Sequence, residues 1–254
     1  MRVTRMKQMG SSPKHYFAAC QNDVEDPTLA MRLGTLGHAM LWPDVAPPYA
    51  VYDGTRRGKA WEEFKAAHDG IEIYTRSEAN EASGMAEALD RHDDARDLLR
   101  TGTPEFPIMW NYCGRAFSSR LDVRGPNRVV ELKTAKTSHP DWFMRDATRM
   151  GYHAQVAAYR MALAQITGRQ TSAIDAHIVV VEKRKPYVVT VFDMSERTLR
   201  EGEKLIRSWY EQIVACEEAN AWPGYTESRV LFDVPDPDED ALIFDDEDEE
   251  EQAA

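Results

Sequence analysis

Cysteine is scarce in this chain: Cys20, Cys113 and Cys216 are the 3 among 254 residues. An odd number at wide spacing argues against a disulfide framework and a cysteine-built zinc site, and it fits reduced thiols in a cytoplasm. Long apolar runs are missing as well. None approaches the roughly 18 residues that suggest a membrane span, so no membrane partner is expected. Residues 1–10 are basic but have no apolar stretch of the kind a secretory signal needs. They read as a flexible lead, with Met6 and Met9 open as alternative starts. There are no internal repeats. Positive charge is absent from Asp233 onward, where 12 of the 43 acidic residues lie and none of the 31 Lys and Arg. The formal charge of −12 therefore belongs to the tail, and the rest of the chain carries 31 charges of each sign. Binding a polyanion needs a local basic patch, not a net charge, and a neutral body leaves room for one.

What is present suits one large α/β domain over 11–232, followed by a low-complexity acidic tail over 233–254 that is expected to be disordered. Helices are expected over 11–20, 28–42, 56–68, 77–100, 140–146, 151–167 and 195–219, from helical spacing of apolar residues and from caps such as Ser11 or Ser12 and Gly168. Residues 43–53 read as a proline-rich loop. Strands are expected over 103–111, 176–182 and 187–192. Basic side chains at Arg32, at Arg56, Arg57 and Lys59, and at Lys183, Arg184 and Lys185 are candidates for phosphate contacts. Ordinary solvated arginines and lysines explain them equally well. In the tail, Leu242, Ile243 and Phe244 interrupt the acid with an apolar patch. The tail fits a solubilising segment, a competitor of a polyanionic ligand at a basic groove, or a docking point for a partner.

The most informative stretch is 115–134, Arg-Ala-Phe-Ser-Ser-Arg-Leu-Asp-Val-Arg-Gly-Pro-Asn-Arg-Val-Val-Glu-Leu-Lys-Thr. It reads as two strands around a Gly125-Pro126-Asn127 turn. Side chains two apart on a strand share a face, so Glu131 and Lys133 point together, as do Ser118, Arg120 and Asp122. A hairpin brings Asp122 alongside Glu131. Paired carboxylates suit a hard cation such as Mg²⁺, and a lysine beside them suits charge building up on phosphorus. An exposed strand face with a Glu–Lys pair fits the same pattern.

Asp122 followed by Glu131-Leu132-Lys133 resembles the core of the PD-(D/E)XK nuclease superfamily, with Leu121 where the family has proline. Gly34-Thr35-Leu36-Gly37-His38-Ala39 and Gln155-Val156-Ala157-Ala158-Tyr159 are similar to two further motifs of its RecB-like branch. Together with Ser12 to Phe17, Arg57 to Trp61, and Glu105 ahead of Trp110, they resemble the exonuclease VIII (RecE) catalytic domain and its phage relatives, over about residues 11–215. Three cysteines argue against the iron–sulfur members of that branch, which need four.

The resemblance implies an α/β fold with a central mixed sheet flanked by helices. It also implies a Mg²⁺-dependent exonuclease, with Mn²⁺ able to substitute, acting 5′ to 3′ on linear double-stranded DNA ends and leaving a 3′ overhang for recombination. Ring-like homo-oligomers and a single-strand annealing partner go with it. Metal ligands would be His38, Glu105, Asp122, Glu131 and the Leu132 carbonyl. Lys133 would position the attacking water, and Gln155 and Tyr159 would hold substrate. Residue by residue, a packed core histidine, an exposed loop glutamate and a core tyrosine fit His38, Glu105 and Tyr159 as well. Alternative functions are a single-strand-specific or endonucleolytic enzyme, or an inactive module that binds DNA ends.

Overall fold

Branched and aromatic residues at alternate positions build two sheets in the computed structural model, which describes residues 1–21 and 28–232. β1 (Tyr49–Tyr52) and β2 (Glu72–Thr75) form a small parallel pair. β3 (Thr103–Tyr112), β4 (Arg115–Arg124), β5 (Arg128–Ala135), β6 (Asp175–Glu182) and β7 (Val189–Asp193) form the main sheet in that order. β5 and β6 run parallel and the remaining neighbours antiparallel, so the sheet is mixed, as expected. β6 shows why it is central. Ile178 and Val180 enter one core and Val179 and Val181 the other, so both faces of the strand are buried. Such a strand reads as a continuous apolar run.

The helices are α1 (Val3–Met6), α2 (Pro13–Gln21), α3 (Leu29–Leu41), α4 (Lys59–Ala67), α5 (Arg76–Arg91), α6 (Asp93–Arg100), α7 (Pro140–Arg149), α8 (Tyr152–Thr167) and α9 (Glu196–Ala219). α1, α8 and α9 pack over one face of the main sheet, and α3, α5 and α6 over the other. α8 presents Ala154, Ala157, Ala158, Ala162 and Ala164, all buried, and these small side chains let it lie close to its neighbours. Arg160, only 3% exposed, reaches Glu196 at 2.5 and 3.1 Å and ties α8 to the start of α9.

Several expectations change. Residues 1–10 are not a loose lead: they form α1 and a 3₁₀ turn (Lys7–Gly10), with Val3, Met6 and Met9 in the core beside α8 and α9. The expected helix over 77–100 divides at His92, whose extended backbone (ψ 111°) lets its ring accept from the Ala95 amide and cap α6. Within the expected 43–53 loop, Tyr49–Tyr52 pairs with Glu72–Thr75. Arg32 is committed internally to Glu78 at 3.0 Å, to the Ile73 carbonyl at 2.9 Å and to Glu72, so it braces β2 instead of facing solvent. Arg56 likewise donates to the Ile73 carbonyl at 2.7 Å. Gly34 of α3 faces β5, where a Cβ would meet Thr134 Oγ1 at 3.4 Å, an ordinary contact distance. Gly37 faces Met85 on α5 instead.

Met1–Pro223 forms one compact unit. The chain from Gly224 onward is a second unit, of which 224–232 is described and carries no helix or strand. The acidic tail over 233–254, with its Leu242–Phe244 patch, lies outside the described residues. Among the described residues no helix is long and apolar enough to cross a membrane.

Candidate active site

The site forms where the main sheet loses its regular pairing. The β3–β4 ladder runs through Pro104–Val123 and Phe106–Leu121 and omits the Glu105–Asp122 pair between them. Glu105 has φ 48°, in the left-handed region that residues with a Cβ adopt only at a cost, typically of about 1–3 kcal/mol. On its other side β4 pairs with β5 only at Val123–Val130 and Arg124–Val129, and then the strands part. The Asp122 side chain takes over there: its Oδ2 accepts from the Leu132 amide at 2.7 Å. Leu121 and Val123 enter opposite cores although they lie two apart, so β4 twists sharply across Asp122.

α3 brings His38 to this break. Its Nδ1 is 2.9 Å from Glu105 Oε1 and 4.0 Å from Asp122 Oδ1. His38, Glu105 and Asp122 each offer a ligand atom within 4.8 Å of the others, one imidazole nitrogen and two carboxylate oxygens. Arg120 Nε closes the outer side by pairing with Glu105 Oε2 at 2.9 Å.

Glu131 and Lys133 do share a face of β5, and their side chains bond to each other. Glu131 Oε1 also accepts from Gln155 Nε2 at 2.6 Å, and the same amide nitrogen lies 2.9 Å from the Tyr159 hydroxyl. Gly151 starts α8 with φ 66°, and a Cβ there would press to 2.9 Å from Trp209. A glycine thus lets the first turn of α8 sit low enough to deliver Tyr152 and Gln155. Glu131 Oε2 is buried and has no hydrogen-bond partner. Burying such an oxygen without a partner is costly, and a cation beside it would remove the cost.

The electrostatics agree with a site that waits for positive charge. Burial, with Glu131 adding repulsion, pushes the Asp122 carboxyl up to about 7. For His38, burial alone would lower the pKa, but Asp122 and Glu105 outweigh it and raise it. Glu105 is held low despite its burial, because His38 bonds to it. Burial likewise opposes charge on Lys133, and the Glu131 and Asp122 carboxylates overcome that opposition and raise its pKa. Oxygen donors with one imidazole fit Mg²⁺ or Mn²⁺ better than a soft metal.

The structure thus brings all the expected side chains to one place, in two groups. His38, Glu105 and Asp122 form one; Glu131, Lys133, Gln155 and Tyr159 form the other. Gln155 and Tyr159 are each only 4% exposed and buttress Glu131, a different position from an open contact with a phosphate. Leu132 enters through its amide, bonded to Asp122. Arg120, Tyr152 and Lys7 are neighbours that the sequence reading did not assign. Arg120 could have been found, since it shares its strand face with Asp122, and Tyr152 falls in the expected 151–167 helix, three residues before Gln155. Lys7 carries no signal of its own. Both groups, apart from the buried Glu131, border an open cleft of about 1010 Å³, whose lining includes Arg2, Arg120, Lys136 and Lys183. Of the three basic residues after β6, Lys183 reaches this cleft, while Arg184 and Lys185 border a separate depression beside α5.

The match to a family model, the PDDEXK-like domain of unknown function (DUF3799), spans residues 2–232. The chain belongs to this PDDEXK-like family. Among solved structures, a "Putative exonuclease" from Eubacterium rectale has the same fold, with TM-score 0.65 at 15% identity, covering 93% of this chain and 90% of that one. An alkaline exonuclease from Laribacter hongkongensis (TM-score 0.30, 18% identity, 76% of this chain and 94% of that one) aligns more loosely. So does a phage related exonuclease from Haemophilus somnus (TM-score 0.34, 11% identity, 85% and 95%). A search of curated proteins finds no match.

Proposed function

We propose that this protein is a Mg²⁺-dependent exodeoxyribonuclease that degrades one strand of linear duplex DNA from its 5′ end. The observation that carries the reading is the juxtaposition at the sheet break. A carboxylate–imidazole trio stands beside a Glu–Lys pair whose outer carboxylate oxygen lacks a partner. The cleft is open and rimmed by basic side chains, as a phosphate backbone requires. The 5′-to-3′ direction, the 3′ overhang, a role in recombination, ring-like assembly and an annealing partner rest on the resemblance of its motifs to the exonuclease VIII group.

A divalent ion held by Asp122, Glu131, His38 and Glu105 would polarise a phosphoryl oxygen and lower the pKa of a bound water. The chain's own groups do the rest. Lys133, kept charged by Glu131 and Asp122, holds the attacking water and offsets negative charge growing on phosphorus. Water oxygen bonds to phosphorus and gives up a proton to solvent, the bond to the leaving ester oxygen breaks, and that oxygen takes up a proton from solvent. Arg120, 72% exposed at the lip, is placed to pair with a neighbouring phosphate. Gln155 and Tyr159 keep Glu131 from swinging towards Lys133 alone.

Linear duplex labelled at either the 5′ or the 3′ end, alongside closed circular duplex, tests the reading in the presence of Mg²⁺. Early release of the 5′ label, late loss of the 3′ label and intact circles are expected. Linearised circles would make the enzyme an endonuclease, and digestion confined to single strands would remove the duplex specificity. Metal-independent binding to ends without any cleavage would leave only an end-binding module.

A further inference from the structure

Lys7 comes from the far end of the chain to the back of this site. It lies in the 3₁₀ turn Lys7–Gly10, held in place by the buried Met6 and Met9 on either side. Its Nζ donates to Gln155 Oε1 at 2.8 Å and sits 4.7 Å from the centroid of the Tyr152 ring. Lys133 Nζ lies at the same 4.7 Å from that ring. An aromatic ring close to both ammonium groups favours keeping each charged.

The Glu131 carboxylate only accepts and so draws Gln155 Nε2 towards it, and Lys7 holds the other end of the same amide, so the carboxamide is fixed from both sides. Lys⁺ has donors only, so it must face Oε1, and Nε2 must then face Glu131 and Tyr159. Glu131 Oε1 accordingly takes two donors, Gln155 and Lys133, while Oε2 is left without a partner. Lys7 does not line the cleft, whereas Gln155, Lys133 and Tyr152 do, so it reaches the chemistry through Gln155 and not through substrate.

We infer that Lys7 is a positioning residue of the active site: it locks the Gln155 amide, and through it the Glu131 carboxylate, in the orientation that leaves Glu131 Oε2 for metal. The inference rests on the nuclease reading. It goes beyond that reading in making the N-terminal turn part of the catalytic apparatus. Burial and the nearby Lys133 charge bring Lys7 down to about 8, and the Glu131 carboxylate works in the opposite direction.

The test compares the full-length chain with Lys7→Met, Lys7→Arg, Gln155→Ala and the Lys7→Met/Gln155→Ala pair. Mn²⁺ binding by calorimetry, kcat and KM on linear duplex, and Tm are the readouts. Lys7→Met should weaken Mn²⁺ by about 10-fold and lower kcat by a similar factor, the low end for groups that orient a metal ligand. KM should stay nearly unchanged. Lys7→Arg, which keeps a charged donor, should recover most of both. The pair should be no worse than Gln155→Ala, since each change breaks the same link.

A rise in KM with kcat and Mn²⁺ affinity intact would make Lys7 a phosphate contact and overturn the proposal. Additive losses in the pair would also overturn it, as would a fall in Tm with unchanged kcat and Mn²⁺ affinity below the transition. Should Lys7→Met not fold, Lys7→Gln, which can still donate to Gln155 Oε1, carries the same test with an intermediate loss expected. A parent chain that neither binds Mn²⁺ nor cleaves DNA would sink the nuclease reading together with this one. A parent that does both, with Lys7 variants unchanged, would sink this one alone.

Discussion

Replacing Lys133 by Met should lower the rate of DNA cleavage by about 1000-fold, the upper end for losing one donor aimed at developing charge. The same variant should bind duplex DNA within a few-fold of the parent. Methionine preserves most of the stem and removes only the ammonium. That ammonium is committed to Glu131 and stays charged because Glu131 and Asp122 outweigh its burial. In the proposed mechanism its work is at the reacting phosphate, while backbone binding falls to the exposed basic rim. Filter binding at fixed salt and turnover on linear duplex, measured on one preparation, separate the two roles. Cleavage near the parent rate would mean that β5 does not carry the catalytic lysine. Equal loss of binding and cleavage would place Lys133 on the DNA track instead.

Asp122→Asn is expected to abolish cleavage as well, for a different reason and with an extra signature. The substitution keeps an oxygen that can accept from the Leu132 amide, so the strand break survives, but the charge that attracts a cation is gone. Without metal, Asp122 has its pKa raised to about 7 by burial and by Glu131. A carboxyl raised in the folded state contributes stability below its unfolded pKa and loses it as pH rises through the folded value. In the metal-free parent this contribution should thus fade between about pH 4 and 7. Metal binds the ionised form and reverses the trend, so the Tm gain from Mn²⁺ should be larger at pH 8 than at pH 6. Asp122→Asn should show little Mn²⁺ gain at either pH. A gain as large as the parent's would remove Asp122 from the ligand set.

The hairpin was legible because its chemistry is local. Alternation and the Gly-Pro-Asn turn set β4 and β5, and the period of two put Glu131 and Lys133 on one face. The same rule placed Asp122 directly beside Glu131. It could not foresee that β4 and β5 stop pairing after Val123–Val130, so that Asp122 joins His38 and Glu105 while Glu131 turns to Gln155. That split depends on the left-handed Glu105, which nothing in its neighbours demands. β1 was missed because Tyr49–Tyr52 is short and follows three prolines, and its pairing with β2 crosses about twenty residues. The break at His92 was missed because apolar spacing continues through it, and only the extended backbone there divides the helix. Lys7 was out of reach for the plainest reason. Its partner is Gln155, 148 residues away, and no local pattern encodes a contact of that span.

Metal-dependent phosphodiester hydrolysis at the Asp122–Glu131–Lys133 centre is the proposed activity. The most direct measurement is release of acid-soluble nucleotide from linear duplex DNA by the chain stripped with EDTA, as Mg²⁺ or Mn²⁺ is titrated back. No release before addition, and a saturable rise with either ion that Lys133→Met lacks, is the predicted result. Release that continues undiminished in EDTA, or no release at any metal concentration, would contradict it.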